Sequence, residues 1–326
     1  MMFRAVVGLV LLLLSACQPT AHDMKETRFL LGTLVEFTVF SDDEGAALDA
    51  IHQAAQAMQK VEDTFTTFGD VNNSVKAFNQ AKVGQVVKLD SAVEQLLLLS
   101  LDIHHESQGA FDPTLGALNE LWAFSGEKLA DTPPLSSSIT VALQQTGVQN
   151  IEQSAAGWVK KEGGLKLDFG GIAKGLAIDE GAAVLKRLGF TQAIINAGGD
   201  MMVLGKHGDK PWRIAVRHPR DEQPLGWVEV EQDTSIVTSG DYERFYMYEG
   251  QRYHHILDPK SGYPSQASQS VTVMAPNATL ADVWSTGLFV LGAEEGVKLL
   301  DKNAAVNAIW VSENGEVAQN RDFLLR

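Results

Sequence analysis

The stretch Leu165-Lys166-Leu167-Asp168-Phe169-Gly170-Gly171-Ile172-Ala173-Lys174-Gly175 constrains this chain more than any other. A short apolar alternation ends at Asp168, two glycines follow, and Ile172-Ala173-Lys174 opens a run that predicts a helix through Leu188. Strand, glycine turn, helix is the geometry that aims free backbone N–H groups at an anion. Gly170 and Gly171 have no Cβ, so a ligand can approach the backbone there. Lys174 falls near the first helical turn, where a cation opposes the helix dipole and a bound anion would account for it. The alternative is an ordinary tight strand-to-helix connection.

Charge narrows the choice of ligand. The chain has 326 residues and a formal net charge of -15. With no excess of Lys and Arg to neutralise phosphates, nucleic acid is excluded as the main partner. Any anionic ligand must be held by local donors or by a metal cation.

The single cysteine, Cys17, rules out an internal disulfide and sits in an informative place. Arg4 precedes an apolar run over Ala5 to Leu14, and Leu14-Ser15-Ala16-Cys17 follows. This pattern is similar to a bacterial lipoprotein signal; the alternative is a plain secretory signal with a chance cysteine. The run is too short for a comfortable membrane span. The expected layout is a signal over 1–16, a lipidated Cys17, a flexible tether over 17–26 and a folded domain over 27–326.

Along the domain, Arg28 to Phe40 reads as a strand, and Asp43 to Phe65 as an amphipathic helix. Thr64 to Asn79 reads as irregular. Ser91 and Glu94 suggest a capping box for a buried helix that ends near His104 and His105. Those two histidines point to different helix faces and read as structural. Asp131 to Ser138 is a Pro/Ser loop, the best candidate for an internal boundary or insertion. Strands are expected near 190–196, 201–204, 213–216, 227–230, 270–274 and 305–311, with hairpin turns at Glu249-Gly250 and Asn314-Gly315. A helix is expected over Ala278 to Leu291, capped by Asn277 or Thr279. The order is not regularly β-α-β, so the expected class is α+β with mixed, largely antiparallel sheets and packed helices.

Three groups suggest chemistry. Asp282 and Thr286 are four residues apart on one helix face, with Ser285 near the same edge. A carboxylate with hydroxyl oxygens suits a hard cation such as Mg²⁺; the alternative is a polar surface face. His255, at a strand end before Ile256-Leu257-Asp258-Pro259, can serve as a general base, or can have its ring satisfied by a backbone carbonyl. Asp112 and Asp168 can bind a ligand's N–H or hydroxyl, or merely brace turns.

Seven segments then occur in one order: Leu31-Gly32-Thr33, Ala110-Phe111-Asp112-Pro113-Thr114, Leu167 to Gly175, Asn196-Ala197-Gly198-Gly199-Asp200, Thr238-Ser239-Gly240-Asp241-Tyr242-Glu243-Arg244, His255 to Pro259, and Ala281-Asp282 to Thr286. Together they resemble the ApbE-type FAD:protein FMN transferases over the whole mature chain. The resemblance implies a T-fold-like architecture and cleavage of FAD at its pyrophosphate. FMN would be joined by a phosphoester bond to a threonine or serine of a partner protein, and AMP would leave. Mg²⁺ would be held by Asp282, Thr286 and the Gly171 carbonyl, with Ser285 where relatives often carry aspartate. FAD would be contacted by Leu31, Phe68, Ala110, Phe111, Asp112, Asp168, Lys174 and Ile256. Leu31 stands where methionine is common, and Phe68 near a usual tyrosine. His255 is the candidate base, with Asp282 the other catalytic residue. The implied acceptors carry a Ser/Thr-Gly-Ala-Ser/Thr-like motif, as in subunits of membrane redox pumps. The implied location is the periplasmic side of the inner membrane; Gln18 after the cysteine leaves the outer membrane open. A Mg²⁺-dependent FAD pyrophosphatase and a non-catalytic FAD-binding lipoprotein are the competing readings.

Overall fold

The organising element is an eight-stranded sheet, described here from a computed structural model covering residues 21–125, 130–301, 305–320 and 323–326. Its strands are β1 (His22–Leu30), β2 (Thr33–Ser41), β5 (Ala193–Ala197), β6 (Asp200–Leu204), β9 (Thr234–Gly240), β12 (Ser268–Ala275), β13 (Asn307–Ser312) and β14 (Val317–Gln319), neighbours in that order. Every pairing is antiparallel. Short hairpins stand apart from it: β3 (Ile151–Ser154) with β4 (Gly157–Lys160), β7 (Trp212–Val216) with β8 (Gly226–Val230), and β10 (Phe245–Tyr248) with β11 (Gln251–His254). The expected α+β class with antiparallel sheets holds.

Period-two alternation gives the sheet two apolar faces. Phe37, Ile195, Met202, Val273 and Trp310 pack into the larger core. That core also takes α1 (Glu44–Phe65), α3 (Ser91–Glu106), α6 (Ala173–Arg187) and α7 (Ala278–Leu291). On the opposite face Val203, Ile236 and Ile309 meet Trp212, Ile214, Val228 and Phe323, so β7–β8 covers the second side. A third cluster, around Trp122, joins α4 (Gly116–Trp122) and α5 (Ser136–Gln145) to Leu257.

Several expectations change. Residues 28–40 are not one strand: the chain reverses at Leu31 and Gly32, with φ of 56° and 69°. Both central residues of this two-residue turn take positive φ, the type I′ pattern. A leucine there costs about 1 kcal/mol, and the Glu62 carboxylate fixes it by accepting the Leu31 N–H at 3.0 Å. The expected tether over 17–26 is also too long, because residues from His22 onward pair with β2. The 1–16 signal and Cys17 lie outside the described residues. Ser91 and Glu94 do not form a capping box. Asp90 is the N-cap of α3, and Glu94 instead accepts the Trp158 indole N–H at 2.9 Å. Four helices, α2 (Ser74–Gln80), α4, α5 and α8 (Ala293–Leu300), have no counterpart in the sequence reading, the first lying in a stretch read as irregular. The Asp131 to Ser138 stretch is not all loop, because α5 already begins at Ser136.

Candidate functional site

Gly175 fixes where α6 and α7 meet. A Cβ on Gly175 would lie 2.2 Å from the Ala278 carbonyl oxygen and 2.8 Å from Asp282 Cβ. The helices therefore touch backbone to backbone, and the Gly175 N–H donates to Asp282 Oδ2 at 2.8 Å. One turn further along α6, Asp179 accepts the Ala278 and Thr279 N–H groups at 2.7 and 2.8 Å. It caps α7 across the interface, together with Asn277, which accepts the Leu280 N–H.

The segment leading into α6 is extended but belongs to no sheet, which corrects the expected strand. Its partners are side chains and loops. Asn79 grips Leu167 from both sides, accepting its N–H at 2.7 Å and donating to its carbonyl at 2.9 Å. The Gly116 N–H donates to the Lys166 carbonyl, and the Asp168 N–H to the Pro113 carbonyl. The Asp168 carboxylate is occupied as well: Oδ1 accepts the Gly170 N–H at 2.7 Å and Oδ2 the Asn119 amide at 3.0 Å. It braces the turn, the bland alternative for this residue.

The expected cluster of free N–H groups is thus largely spent. Gly170 donates to Asp168, Ile172 and Ala173 to the Phe169 carbonyl, and Gly175 to Asp282. Two built-in carboxylates answer the helix start. Lys174 is likewise paired, with Asp200, whose other oxygen accepts the Thr238 N–H at 3.0 Å. Burial opposes the Lys174 charge, but Asp200 and Asp282 outweigh it and hold the ammonium above its ordinary range. So Lys174 does not need a bound anion to explain it. Asp200 was quoted from the sequence only within a motif; its partner lies 26 positions earlier, beyond any local spacing rule.

The turn brings Gly171 against Thr286. A Cβ on Gly171 would sit 3.1 Å from Thr286 Oγ1 and 3.3 Å from Phe111 Cε2. Asp282 lies one turn before Thr286 on α7 and is 4% exposed. Burial drives its pKa up to about 7; Lys174 and the Gly175 N–H work against this, Asp200 and Asp179 with it. Ser285 is a correction: its hydroxyl donates to the Asp282 carbonyl and meets Ser239 Oγ, both at 2.8 Å. One residue along a helix is a rotation of about 100°, which turns Ser285 away from Thr286 and onto β9. Among the described residues no three His, Cys, Asp or Glu side chains cluster at metal-binding distance. One carboxylate, one hydroxyl and one carbonyl fit a cation that keeps most of its shell for water and phosphate oxygens, as Mg²⁺ does.

The two histidines after β10 divide the roles left open for one. His254 Nε2 bonds the Ser265 carbonyl at 2.8 Å, the structural arrangement. His255 Nδ1 is buried and has no hydrogen-bond partner among the described residues. Burial, then Arg244, His254 and Lys174, depress the His255 pKa to about 3, so its ring is neutral.

The remaining FAD candidates divide. Phe111 packs on Gly171, and Ala110 and Asp112 are buried beside it. Asp112 is engaged by its own turn, accepting the Thr114 N–H at 2.7 Å and the Thr114 hydroxyl at 2.5 Å. Ile256 has both main-chain groups paired, to His254 Nδ1 and the Ser265 N–H, leaving only apolar surface. Leu31 sits at the strained turn. Phe68 is 56% exposed in the loop after α1, whose carbonyls at Phe68, Gly69 and Val71 are gathered by Lys76 Nζ. No hydrogen bond seen among the described residues ties Phe68 to the Asp282 region.

The chain belongs to the ApbE family, which matches residues 31–310. It is 31% identical to a Klebsiella pneumoniae FAD:protein FMN transferase over 325 residues, covering 95% of this chain and 93% of that one. A Rhodobacter capsulatus FAD:protein FMN transferase is also 31% identical over 91% of this chain, which spans 57% of that relative's length. The crystal structure of the ApbE protein from Thermotoga maritima superposes with a TM-score of 0.83 at 33% identity, covering 93% of this chain and 98% of that one.

Proposed function

We propose that this protein is an FAD:protein FMN transferase that works with Mg²⁺ at the Gly171–Asp282–Thr286 corner. The observation that carries the reading is the approach of the Gly171 turn to Thr286, one helical turn from the buried Asp282 that accepts the Gly175 N–H. Asp282, Thr286 and the Gly171 carbonyl would hold the ion. When bound, Mg²⁺ neutralises pyrophosphate charge, the usual help in phosphoryl transfer. This resolves how a chain of net charge -15 takes a dianionic substrate.

Lys174 supplies a second positive charge, kept protonated by Asp200. The acceptor hydroxyl attacks the FMN-side phosphorus, the bond between the two phosphoryl groups breaks, and AMP departs. His255 takes the hydroxyl proton. Burial is the main cause of its low pKa, with Arg244, His254 and Lys174 adding to it; an anion bound among these cations opposes only their share, and so shifts the His255 pKa upward. His255→Ala is expected to retain FAD but slow transfer on the order of 10²-fold. Comparing FAD affinity by fluorescence with the single-turnover rate of AMP release checks this. Equal losses in both would remove His255 from the proton transfer.

The lipid anchor at Cys17, on the periplasmic side of the membrane, belongs to the same proposal and is supported by Leu14-Ser15-Ala16-Cys17. Cys17→Ser is expected to leave the chain without acyl groups. A membrane-bound, acylated Cys17→Ser protein in cell fractions would reject it. Incubation of the protein with FAD and Mg²⁺, following AMP by chromatography, tests the reaction; intact FAD after Asp282-competent, metal-loaded incubation with an acceptor would overturn it.

A further inference from the structure

We infer that the outer face of the β10–β11 hairpin is the surface on which the acceptor polypeptide docks, an inference that rests on the transferase reading above. The hairpin grows out of the site. Arg244 immediately precedes β10 and His255 immediately follows β11, and the His255 N–H donates to the Arg244 carbonyl at 3.1 Å.

Its two faces differ. Tyr246 and Tyr253 oppose each other and turn inward, stacking on Phe124 and Trp122 with centroids 5.3 and 5.7 Å apart. Phe245 and Met247, on the alternate positions, face outward and are 42% and 53% exposed. Arg252, opposite Met247, lies over the Phe245 ring at 3.9 Å.

Beside this apolar strip, Arg252 and His254 open onto a polar cavity of about 130 Å³. Two of its buried atoms, Ser268 Oγ and Gln269 Oε1, have no hydrogen-bond partner. Ser268 is 4% exposed, so water does not reach it freely. Buried polar atoms without partners call for an occupant.

The chemistry selects a polypeptide. An oxyanion cannot satisfy Gln269 Oε1, which only accepts, and the Arg220 guanidinium on the cavity wall is already paired with both Asp241 oxygens. A main chain offers a donor for Gln269 and an acceptor for Ser268, while a neighbouring apolar side chain covers Phe245 and Met247. An acceptor lying there is bound to the hairpin whose two ends, Arg244 and His255, are joined by a main-chain hydrogen bond at the site.

The test is Met247→Glu and, separately, Ser268→Ala, in the full chain with FAD and Mg²⁺. The probe is a synthetic peptide bearing Thr-Gly-Ala-Thr between apolar residues. Met247 is exposed, so its replacement leaves the fold intact. The expected result is a KM for peptide raised at least ~10-fold in Met247→Glu, with FAD affinity and kcat near wild type. Peptide is expected to slow hydrogen exchange of the β10–β11 amides. Wild-type KM in both variants, or unchanged exchange, would overturn the docking surface while leaving the transferase reading in place. A face covered instead by a second copy of the chain would show as a concentration-dependent dimer lost in Met247→Glu, and would also overturn it. If the wild-type protein with peptide leaves FAD whole, the transferase reading fails and takes this inference with it.

Discussion

Asp282→Asn is expected to abolish Mg²⁺-dependent turnover while leaving the metal-free protein at least as stable as wild type. The loss is on the order of 10³-fold or more, because a metal ligand contributes several kcal/mol of transition-state charge stabilisation. The stability half follows from the raised pKa. The folded state keeps the Asp282 proton up to about pH 7, whereas the unfolded chain releases it near ~3.9. Stability from this group is therefore present at low pH and lost as pH rises through that window. Asparagine removes the loss, and its Oδ1 can still accept the Gly175 N–H. Above pH 7 the variant's Tm is expected to match or exceed wild type, by about 2 °C for each ~1 kcal/mol in a domain of this size. Mg²⁺ should raise the Tm of wild type and not of the variant. A variant that melts well below wild type at pH 8 would make Asp282 a structural residue.

Gly175→Val is expected to prevent folding. The new Cβ would stand 2.2 Å from the Ala278 oxygen, and the atom it meets is backbone, which cannot rotate away. The α6–α7 contact would have to open, uncovering Ile178, Ala281 and Trp284, all within the larger core. A loss above ~4 kcal/mol is a large share of the 5–15 kcal/mol that holds a typical domain folded. Soluble yield and the circular dichroism melt check this. A Gly175→Val protein with the wild-type Tm would mean the helices do not cross there.

The parts of the fold that the sequence revealed are those with strong local periodicity. α1 was legible because its apolar residues recur on one face, α6 because it follows the glycine pair, and α7 because its apolar run begins at Asn277, which caps it as its position suggests. β1 was misread at both ends for physical reasons. It is an edge strand, so His22, Asp23, Lys25 and Glu26 can be polar and still pair, which looks like a tether. Its turn uses Leu31 where glycine or asparagine would have announced a reversal, and the compensating group, Glu62, is remote in sequence. Within the site, Asp282 and Thr286 were readable from a helical spacing. Ser285 was not, since its orientation depends on Ser239 of β9. Lys174 drew attention as an unanswered cation; Asp200 answers it from another strand. Asn79, which holds the Leu165–Gly175 stretch in place of a strand, left no local signal at all.

The most direct test of the account is intact mass spectrometry of an acceptor polypeptide bearing Thr-Gly-Ala-Thr, incubated with this protein, FAD and Mg²⁺, with AMP measured in the same sample. The prediction is an acceptor heavier by FMN less water, one AMP per modified chain, and neither product with Asp282→Asn. AMP and free FMN released at the same rate with or without acceptor would make the protein a hydrolase. An unmodified acceptor and intact FAD would contradict the account altogether.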